Sequence, residues 1–302
     1  MKKLTFITLS LLFLISSCGS KTNKSNGDAE NGKESQEIAN DNASDDVMKA
    51  TTLKGEVYYL LEGKLYVSDL ATNEKKELKL SSEPISNISI SPDGRYLAYE
   101  IELSNSDCNI VTSLAFYDLS TESQFEKFEG KKGKKSIHVS RWDVPVAVVY
   151  KIVNPEAEDD DDTKYYRWTM RTDQKEEITV EEYYDEESGP EYQEDGLFRL
   201  DSPFDDNWTA MSNEEKIYLV NSKSGNKTDV VETNPDKDKR VLRFHLSEWL
   251  DATHLTYITE LMAEAQCGPL KYNIYVYDLA KKTSKLILED VGTFNIIRDI
   301  EE

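Results

Sequence analysis

Three cysteines carry the most nucleophilic side chains of the chain, and the first of them, Cys18, has a distinctive setting. Two lysines follow Met1, and residues 4–15 form an apolar run interrupted only by threonines and one serine. This run is too short for a permanent transmembrane helix, which needs about 20 residues. It has the length of the apolar region of a signal peptide. Because a thiol can form a thioether with a lipid, we expect residues 1–17 to be a signal peptide and Cys18 to be acylated.

The residues around this cysteine, Ile15-Ser16-Ser17-Cys18, resemble the lipobox of bacterial lipoproteins. In that family the thiol receives a diacylglyceryl group, a peptidase cuts before the cysteine, and the new amine is acylated. Such a set of acyl chains anchors a protein stably. The next residue is Gly19, not the Asp that retains many lipoproteins at the inner membrane, and no acidic cluster follows directly. The resemblance therefore implies a lipoprotein of the bacterial cell envelope, at the outer membrane and on its periplasmic side. The alternative is an ordinary secretory signal with an incidental cysteine.

Residues 18–50 have the composition of a flexible tether. They are almost entirely Gly, Ser, Asn, Lys, Glu and Asp. Such a segment buries too little apolar surface to offset its conformational entropy, so we expect it to be disordered. As a coil of about 30 residues it would span roughly 30 Å on average. We expect it to hold a folded domain, residues 51–302, away from a membrane.

The charge of the chain excludes one class of partner. The formal net charge is −22, and it becomes about −24 once the two lysines of the signal peptide are removed. Nucleic acid is excluded as a partner because its phosphates require cationic side chains. The 17 tyrosines and the aromatic content of 10% favour β structure.

An internal repeat organises residues 51–302. Five copies combine an alternating strand, a tight polar turn and a charged second strand, with turn-entry positions about 50 residues apart. These positions are Asp69, Asp118, Arg171, Asn221 and Asp278. A strand–turn–strand unit precedes most copies, and its best example is ISISPDGRYLAYE, residues 88–100. Four strands in about 50 residues are typical of a propeller blade.

The turn Ser91-Pro92-Asp93-Gly94 and its flanking strands resemble the WD-like repeat of the TolB-type β-propeller. The resemblance implies an all-β propeller in which this turn joins the two inner strands and Gly94 adopts a positive φ. The first repeat lacks an innermost strand, and we expect residues 291–300 to supply it and to close the ring. This gives five four-stranded blades. The alternative is six, with residues 181–200 forming a degenerate sheet.

Cys108 and Cys267 occupy matching places in repeats 2 and 5. Each follows a Glu-Leu pair at the end of a strand and lies in a long loop, so we expect both on one face of the propeller. The oxidising envelope permits a disulfide between them, provided that the loops reach across the channel and bring the Cα atoms within about 7 Å. The alternative is two separate thiols.

Sequence motifs for catalysis and cofactor binding are missing. The chain has no Gly-x-Ser-x-Gly, no His-Glu-x-x-His and no phosphate-binding glycine loop. We therefore assign no catalytic residue, metal or cofactor. A zinc hydrolase that uses His138, His245 or His254 is unsupported, and we expect His245 and His254, which flank a predicted turn, to be structural. The one candidate cation-binding loop consists of Glu158, Asp159, Asp160, Asp161 and Asp162. A calcium loop spaces its ligands around a Gly, which this run lacks, so a solvated acidic loop is the preferred interpretation.

The sequence thus favours a membrane-anchored, non-catalytic propeller that binds another envelope protein or component. The long loops of blades 2, 3 and 5 would form the contact surface, since loops on a rigid scaffold commonly carry function. The alternative is an envelope enzyme, of lyase or glycosidase type, with its site at the channel. A glycosidase would need two carboxylates about 5–10 Å apart.

Overall fold

Twenty strands and one short helix make up the part of the chain that the computed structural model describes. It describes residues 53–106, 109–143, 146–156, 162–184, 197–213, 215–232, 240–262 and 270–298. These residues all belong to one unit, Met48–Glu302. None of the helical structure in these ranges is long and apolar enough to cross a membrane.

In chain order the elements are β1 (Glu56–Leu61), β2 (Lys64–Asp69), β3 (Lys75–Leu78), β4 (Ile85–Ile90), β5 (Tyr96–Ser106), β6 (Asn109–Asp118), β7 (Ser123–Phe128), β8 (Ser136–Asp143), β9 (Ala147–Val153), β10 (Lys164–Thr169), β11 (Gln174–Ile178), α1 (Val180–Tyr183), β12 (Phe198–Asp201), β13 (Trp208–Ser212), β14 (Lys216–Asn221), β15 (Lys227–Glu232), β16 (Val241–Asp251), β17 (His254–Leu261), β18 (Lys271–Asp278), β19 (Thr283–Val291) and β20 (Phe294–Ile297).

The strands form five antiparallel four-stranded sheets, which are the blades of a β-propeller. From the innermost strand outward, blade 1 is β20-β1-β2-β3, blade 2 is β4 to β7, blade 3 is β8 to β11, blade 4 is β12 to β15 and blade 5 is β16 to β19. The prediction of five blades is confirmed. The sixth blade that residues 181–200 could have held is replaced, where the chain is described, by the end of α1 and by most of β12.

The C-terminal strand closes the ring, as predicted. β20 pairs with β1, placing Glu56 opposite Ile297 and Tyr59 opposite Phe294. The side chain of Asn295 then reaches blade 2, where its Oδ1 accepts a bond from the amide of Ile90 at 3.4 Å. The two ends of the propeller sequence therefore share one sheet, and that sheet is tied to its neighbour.

The composition of each strand matches its distance from the axis. Second strands are packed on both faces, so they are apolar runs without clear alternation, and Val57, Tyr58, Tyr59 and Leu60 of β1 are all buried. Fourth strands are charged and exposed, as in KKEL of β3 and QKEEI of β11. Charged outer edges discourage pairing with other chains.

Four apolar clusters join neighbouring blades. They lie between blades 1 and 2, 2 and 3, 4 and 5, and 5 and 1. The fifth cluster lies on the side of blade 3 that faces away from blade 2. There α1 covers the sheet, and its Tyr183 packs on Val149, Ile178 and Tyr165. Arg141 holds this helix by donating to the carbonyl oxygens of Glu182 and Tyr183.

The alternating strands give the propeller two faces. We call the turn face the one with the hairpins between first and second and between third and fourth strands. The loop face carries the loops between second and third strands and the links between blades. On the turn face Gly94 has φ +69°, as expected, and the hydroxyl of Ser91 donates to Asp93.

One of the five predicted turn-entry positions, which lie on the turn face between third and fourth strands, is wrong. In four blades the third strand ends at a predicted residue, Asp69, Asp118, Asn221 or Asp278. In blade 3 it ends at Thr169, two residues before Arg171. The fourth residue after each strand end has a positive φ, and these residues are Asn73, Glu122, Asp173, Gly225 and Lys282. Asp173 fits this pattern only if the turn begins at Thr169.

Candidate functional site

Most of the residues that the sequence selected lie outside the described part of the chain. This applies to Cys18, Cys108 and Cys267, and to 158–161 of the acidic run. Asp162 is described and exposed. Within the described ranges no group of three or more His, Cys, Asp or Glu side chains is placed to hold a metal ion. Lipidation, the disulfide and cation binding by the acidic run therefore stay predictions.

Blade 2 does not carry the long loop that the sequence predicted on the loop face. β5 and β6 continue pairing as far as Ser106 and Asn109, so a hairpin projects there. The extension fits the sequence of β6, NIVTSLAFYD, because its β-branched and aromatic residues favour strand. The side-chain Nδ2 of Asn109 donates to the carbonyl oxygen of Pro155 in blade 3, at 3.3 Å. The hairpin is thus supported by the next blade.

Exposed apolar side chains are concentrated on the loop face. The described residues include ten large apolar side chains that are exposed. Five of them lie at the loop-face ends of strands in the adjacent blades 5, 1 and 2: Leu61, Ile110, Leu242, Met262 and Leu270. Met262 is the most exposed of these, at 52%. Clustered apolar exposure marks interaction sites more often than scattered exposure does.

The turn face has a different feature, a polar cavity of about 800 Å³ at the mouth of the channel. Its lining residues come from blades 1, 2 and 5 and from the segment before β1: Lys54, Ile90, Ser91, Pro92, Asp93, Gly94, Glu248, Asn295, Ile296, Ile297 and Arg298. The carboxylates among them are Asp93 and Glu248. Asp93 is engaged by its own turn, since it also accepts a bond from the amide of Arg95.

A β-bulge between Leu246 and Trp249 places Glu248 in this cavity. The hydroxyl of Thr256 replaces the lost ladder bonds, because it accepts from the amide of Glu248 and donates to its carbonyl oxygen. Bulges commonly redirect a side chain in this way. Burial raises the pKa of Glu248 to about 7, although the guanidinium of Arg298, 2.9 Å away, opposes the shift.

The histidine of blade 3 belongs to a buried polar network. The Oγ of Ser136 lies 2.9 Å from Nε2 of His138, and Nδ1 of His138 lies 2.9 Å from Glu100. These are the connections of a catalytic triad. However, Ser136 is only 1% exposed, and its oxygen accepts a bond from the amide of Thr112. A substrate cannot reach this hydroxyl, so the network joins blades 2 and 3 and is structural.

The two histidines of blade 5 are also paired with carboxylates. Glu260 is buried, and it accepts bonds from Arg243 at 2.9 Å and from His245 at 3.1 Å. Burial pushes the pKa of Glu260 upward, but these bonds outweigh burial and hold it below its ordinary value. His254 contacts Asp251 at 2.8 Å. In the structure each of these two histidines is thus paired with a carboxylate, and their structural role stays a prediction.

Sequence reasoning did not single out Glu100, Glu248 or Glu260, nor the exposed apolar residues of the loop face. Glu100 and Glu260 resemble the many other carboxylates of the chain, and only the fold brings each of them to a histidine. Glu248 follows Ser247 in a strand pattern that gives no sign of a bulge. The apolar residues of the loop face could have been found, because they stand at strand ends next to polar segments.

The similarity of this chain to known proteins is limited to solved structures. No protein-family model and no curated protein matches the sequence. Among solved structures, TolB from Acinetobacter baumannii is similar at 17% identity and a TM-score of 0.30, over 79% of this chain and 54% of TolB. This chain therefore spans about half the length of that TolB.

Two further structures show comparable values. An uncharacterised protein from Listeria monocytogenes matches at 16% identity and a TM-score of 0.31, over 80% of this chain and 81% of its own. Oligogalacturonate lyase from Vibrio parahaemolyticus matches at 13% identity and a TM-score of 0.29, over 79% and 68%. The blade count and the ring closure rest on the pairing of this chain's own strands.

Proposed function

We propose that this protein is a non-catalytic binding module of the bacterial envelope, anchored by a lipid on Cys18, that engages another envelope protein through the loop face. The main support for the proposal is that five of the ten exposed large apolar side chains in the described residues lie on that face, at the strand ends of three adjacent blades. Burying such residues against a partner is favourable in proportion to the area removed from water.

The position where the propeller sequence begins supports the choice of face. Leu53 packs against the cluster between blades 5 and 1, and Lys54 lines the cavity on the turn face. The chain therefore enters β1 from the turn face. The loop face lies at the opposite end of every strand from this entry point, which supports its choice as the binding face.

Photocrosslinking tests the binding function. A photoreactive residue is introduced in whole cells at Met262 or Leu242, and the matched controls carry it at Phe125 or Leu286. All four side chains are exposed, but the control positions are on outer strands. We expect a discrete crosslinked protein from the loop-face positions alone. Crosslinks of equal yield from the controls, or none above background from Met262 and Leu242, would contradict the proposal.

The anchor is tested separately by metabolic labelling with an alkyne analogue of palmitate. The wild-type protein should incorporate the label and fractionate with outer membranes, and Cys18→Ser should do neither. Cys108→Ser serves as the matched control and should remain labelled. Retention of the label by Cys18→Ser would contradict lipidation at this residue.

An enzyme acting at the channel is the second candidate, and Glu248 is the observation that favours it. A carboxyl with a pKa of about 7 is suited to general acid catalysis at neutral pH. Among the described residues that line the cavity, the other carboxylate is Asp93, and its bonds within its own turn favour the binding module. A panel of envelope and plant polysaccharides tests this candidate, because turnover by the wild type that Glu248→Gln abolishes would support an enzyme.

A further inference from the structure

The link between blades 2 and 3 carries a cluster of positive charge in a chain of formal charge −22. Residues 131–135 read Lys-Lys-Gly-Lys-Lys and lie on the loop face between β7 and β8. We call them the lysine turn. Lys131, Lys132 and Lys134 are exposed. None of the four ammonium groups forms an ion pair with a carboxylate of the described residues, whereas the nearby Lys127 pairs with Glu129 at 3.1 Å.

The backbone of the lysine turn is held in one shape. The amide of Lys131 donates to the carbonyl oxygen of Lys135 at 2.7 Å, and the amide of Lys135 donates back at 2.9 Å. Gly133 has φ +68°, and a Cβ there would overlap the carboxylate of Glu156. Gly130 packs so closely on β6 that a Cβ would overlap the carbonyl oxygen of Thr112. The four charges are therefore presented by a rigid support.

The lysine turn adjoins the apolar part of the loop face. Ser136, the residue after the turn, donates to the carbonyl oxygen of Ile110 at 3.3 Å. Ile110 is one of the exposed apolar residues of that face. A partner that covers Ile110 thus meets four lysines beside it, with one carboxylate, that of Glu156, packed on Gly133 among them. Leaving these charges opposite a neutral or basic surface would disfavour binding, while carboxylates there would favour it.

We propose that the lysine turn is the docking site for an acidic segment of the protein partner, rich in Asp and Glu and flanked by apolar residues. This inference rests on the proposed function and names the chemistry of the partner. A peptide segment is narrow enough to contact the turn alone. A flat anionic bilayer would instead meet a wider part of a chain whose formal charge is −22, and charges within a Debye length, about 8–10 Å at 0.10–0.15 M salt, would repel it.

Fluorescence polarisation on the full chain tests the proposal. The probe is a labelled peptide of alternating Glu and Leu residues, and its control replaces every Glu by Gln. In one variant the four lysines of the turn become Gln. A matched variant changes four exposed lysines of outer strands and turns, which are Lys75, Lys76, Lys282 and Lys285. Both variants change the net charge equally.

We expect the Glu peptide to bind the wild type. Its affinity should fall at least tenfold for the lysine-turn variant and less than twofold for the matched variant. Its affinity for the wild type should also fall as the salt concentration is raised. Equal losses in both variants would overturn the proposal, as would equal binding of the Gln peptide. Binding to phosphatidylglycerol vesicles that depends on the turn, without peptide binding, would assign the turn to a membrane. Peptide binding only after Asp159, Asp160 and Asp161 are changed to Asn would assign it to this chain's own acidic run.

The photocrosslinking experiment keeps this inference separate from the proposed function. If the lysine-turn variant keeps the full yield of the crosslink from Met262, the loop face still binds a partner and only the acidic docking site is overturned. If the crosslink is absent in the wild type as well, the proposed function itself fails.

Discussion

The two faces of the propeller are built from different kinds of residue. On the turn face, Asp69, Asp118, Asn221 and Asp278 end their strands alike, and each accepts bonds from residues two or three positions further on. In the described segments of the loop face no such motif recurs, and the features there are the β5–β6 hairpin, exposed apolar strand ends and the lysine turn. The first pattern satisfies the local backbone and can be repeated in every blade. The second differs from blade to blade.

This difference indicates which substitutions should affect stability and which should affect binding. The Asp and Asn side chains that end the third strands on the turn face are bonded, and the side chains packed between blades are buried, so the free energy of unfolding depends on them. The five exposed apolar side chains of the loop face contact water, so changing them alters the surface and leaves the core intact. Substitutions in the two regions test this separation between effects on stability and effects on binding.

Phe116→Ala should be the most damaging substitution in the turn-face half. Phe116 is fully buried, and its ring centroid lies 4.8 Å from that of Trp168 and 5.4 Å from that of Phe128, between blades 2 and 3. We expect a loss of about 4 kcal/mol in urea unfolding. Phe125→Ala is the matched control, because this ring contacts the same cluster but is 43% exposed, and it should cost about 1 kcal/mol. Similar losses would contradict the packing described.

Glu248→Gln should make stability depend on pH differently from the wild type. Burial raises the pKa of Glu248 from 4.5 to about 7, so the folded protein holds a proton that the unfolded chain releases. The contribution of this carboxyl to the free energy of unfolding is therefore most favourable below about pH 4.5 and is lost as the pH rises through 7. The variant lacks this group, so its stability relative to the wild type should rise by up to about 3 kcal/mol between pH 5 and 8. Thermal unfolding at several pH values measures this, and a difference that stays flat would contradict it.

Gly94→Ala should have a smaller effect, and Gly225→Ala separates its two causes. Both glycines lie on the turn face, with φ of +69° and +68°. A Cβ on Gly94 would approach Ile297 to 3.3 Å, whereas a Cβ on Gly225 meets nothing within 4 Å. We expect losses of about 2 kcal/mol and about 1 kcal/mol respectively in urea unfolding. Equal losses would mean that the contact with the C-terminal strand contributes nothing.

Leu242→Ser and Met262→Ser should hardly affect stability, by less than about 0.5 kcal/mol in urea unfolding, because both side chains are about half exposed. The control is Leu246→Ser on the same strand, which is buried and should cost about 3 kcal/mol. A large loss from either loop-face substitution would end the separation between the faces. The same two variants should also lose the partner that crosslinks to the loop face.

The fold was largely predictable because its signals repeat. The Ser91–Gly94 turn, the polar outer turns and the missing first strand together predicted five blades closed by β20. The error at Arg171 arose because the blade 3 turn begins with Thr169, which lacks the Asp or Asn of the other blades. The blade 2 hairpin was missed because strand length depends on pairing across the sheet, which Asn105 and Ser106 do not reveal on their own.

The candidate site was less predictable, since it depends on distances between blades. Glu248 and Arg298 are 2.9 Å apart only because the ring closes, and the bulge that directs Glu248 inward depends on Thr256 of the next strand. The lysine turn is visible in the sequence as a run of charge. Its place beside Ile110 is not, because that requires the link between blades to pack on β6.

The closure at β1 has a mechanical consequence. Any pulling force carried by the residues before Leu53 enters the propeller at the start of β1, which is hydrogen-bonded to β20 on one side and to β2 on the other. A pull along this strand must shear two ladders at once, whereas a pull on an edge strand could peel one ladder bond by bond. The strand at which the described part of the propeller begins is thus among the most resistant to extraction.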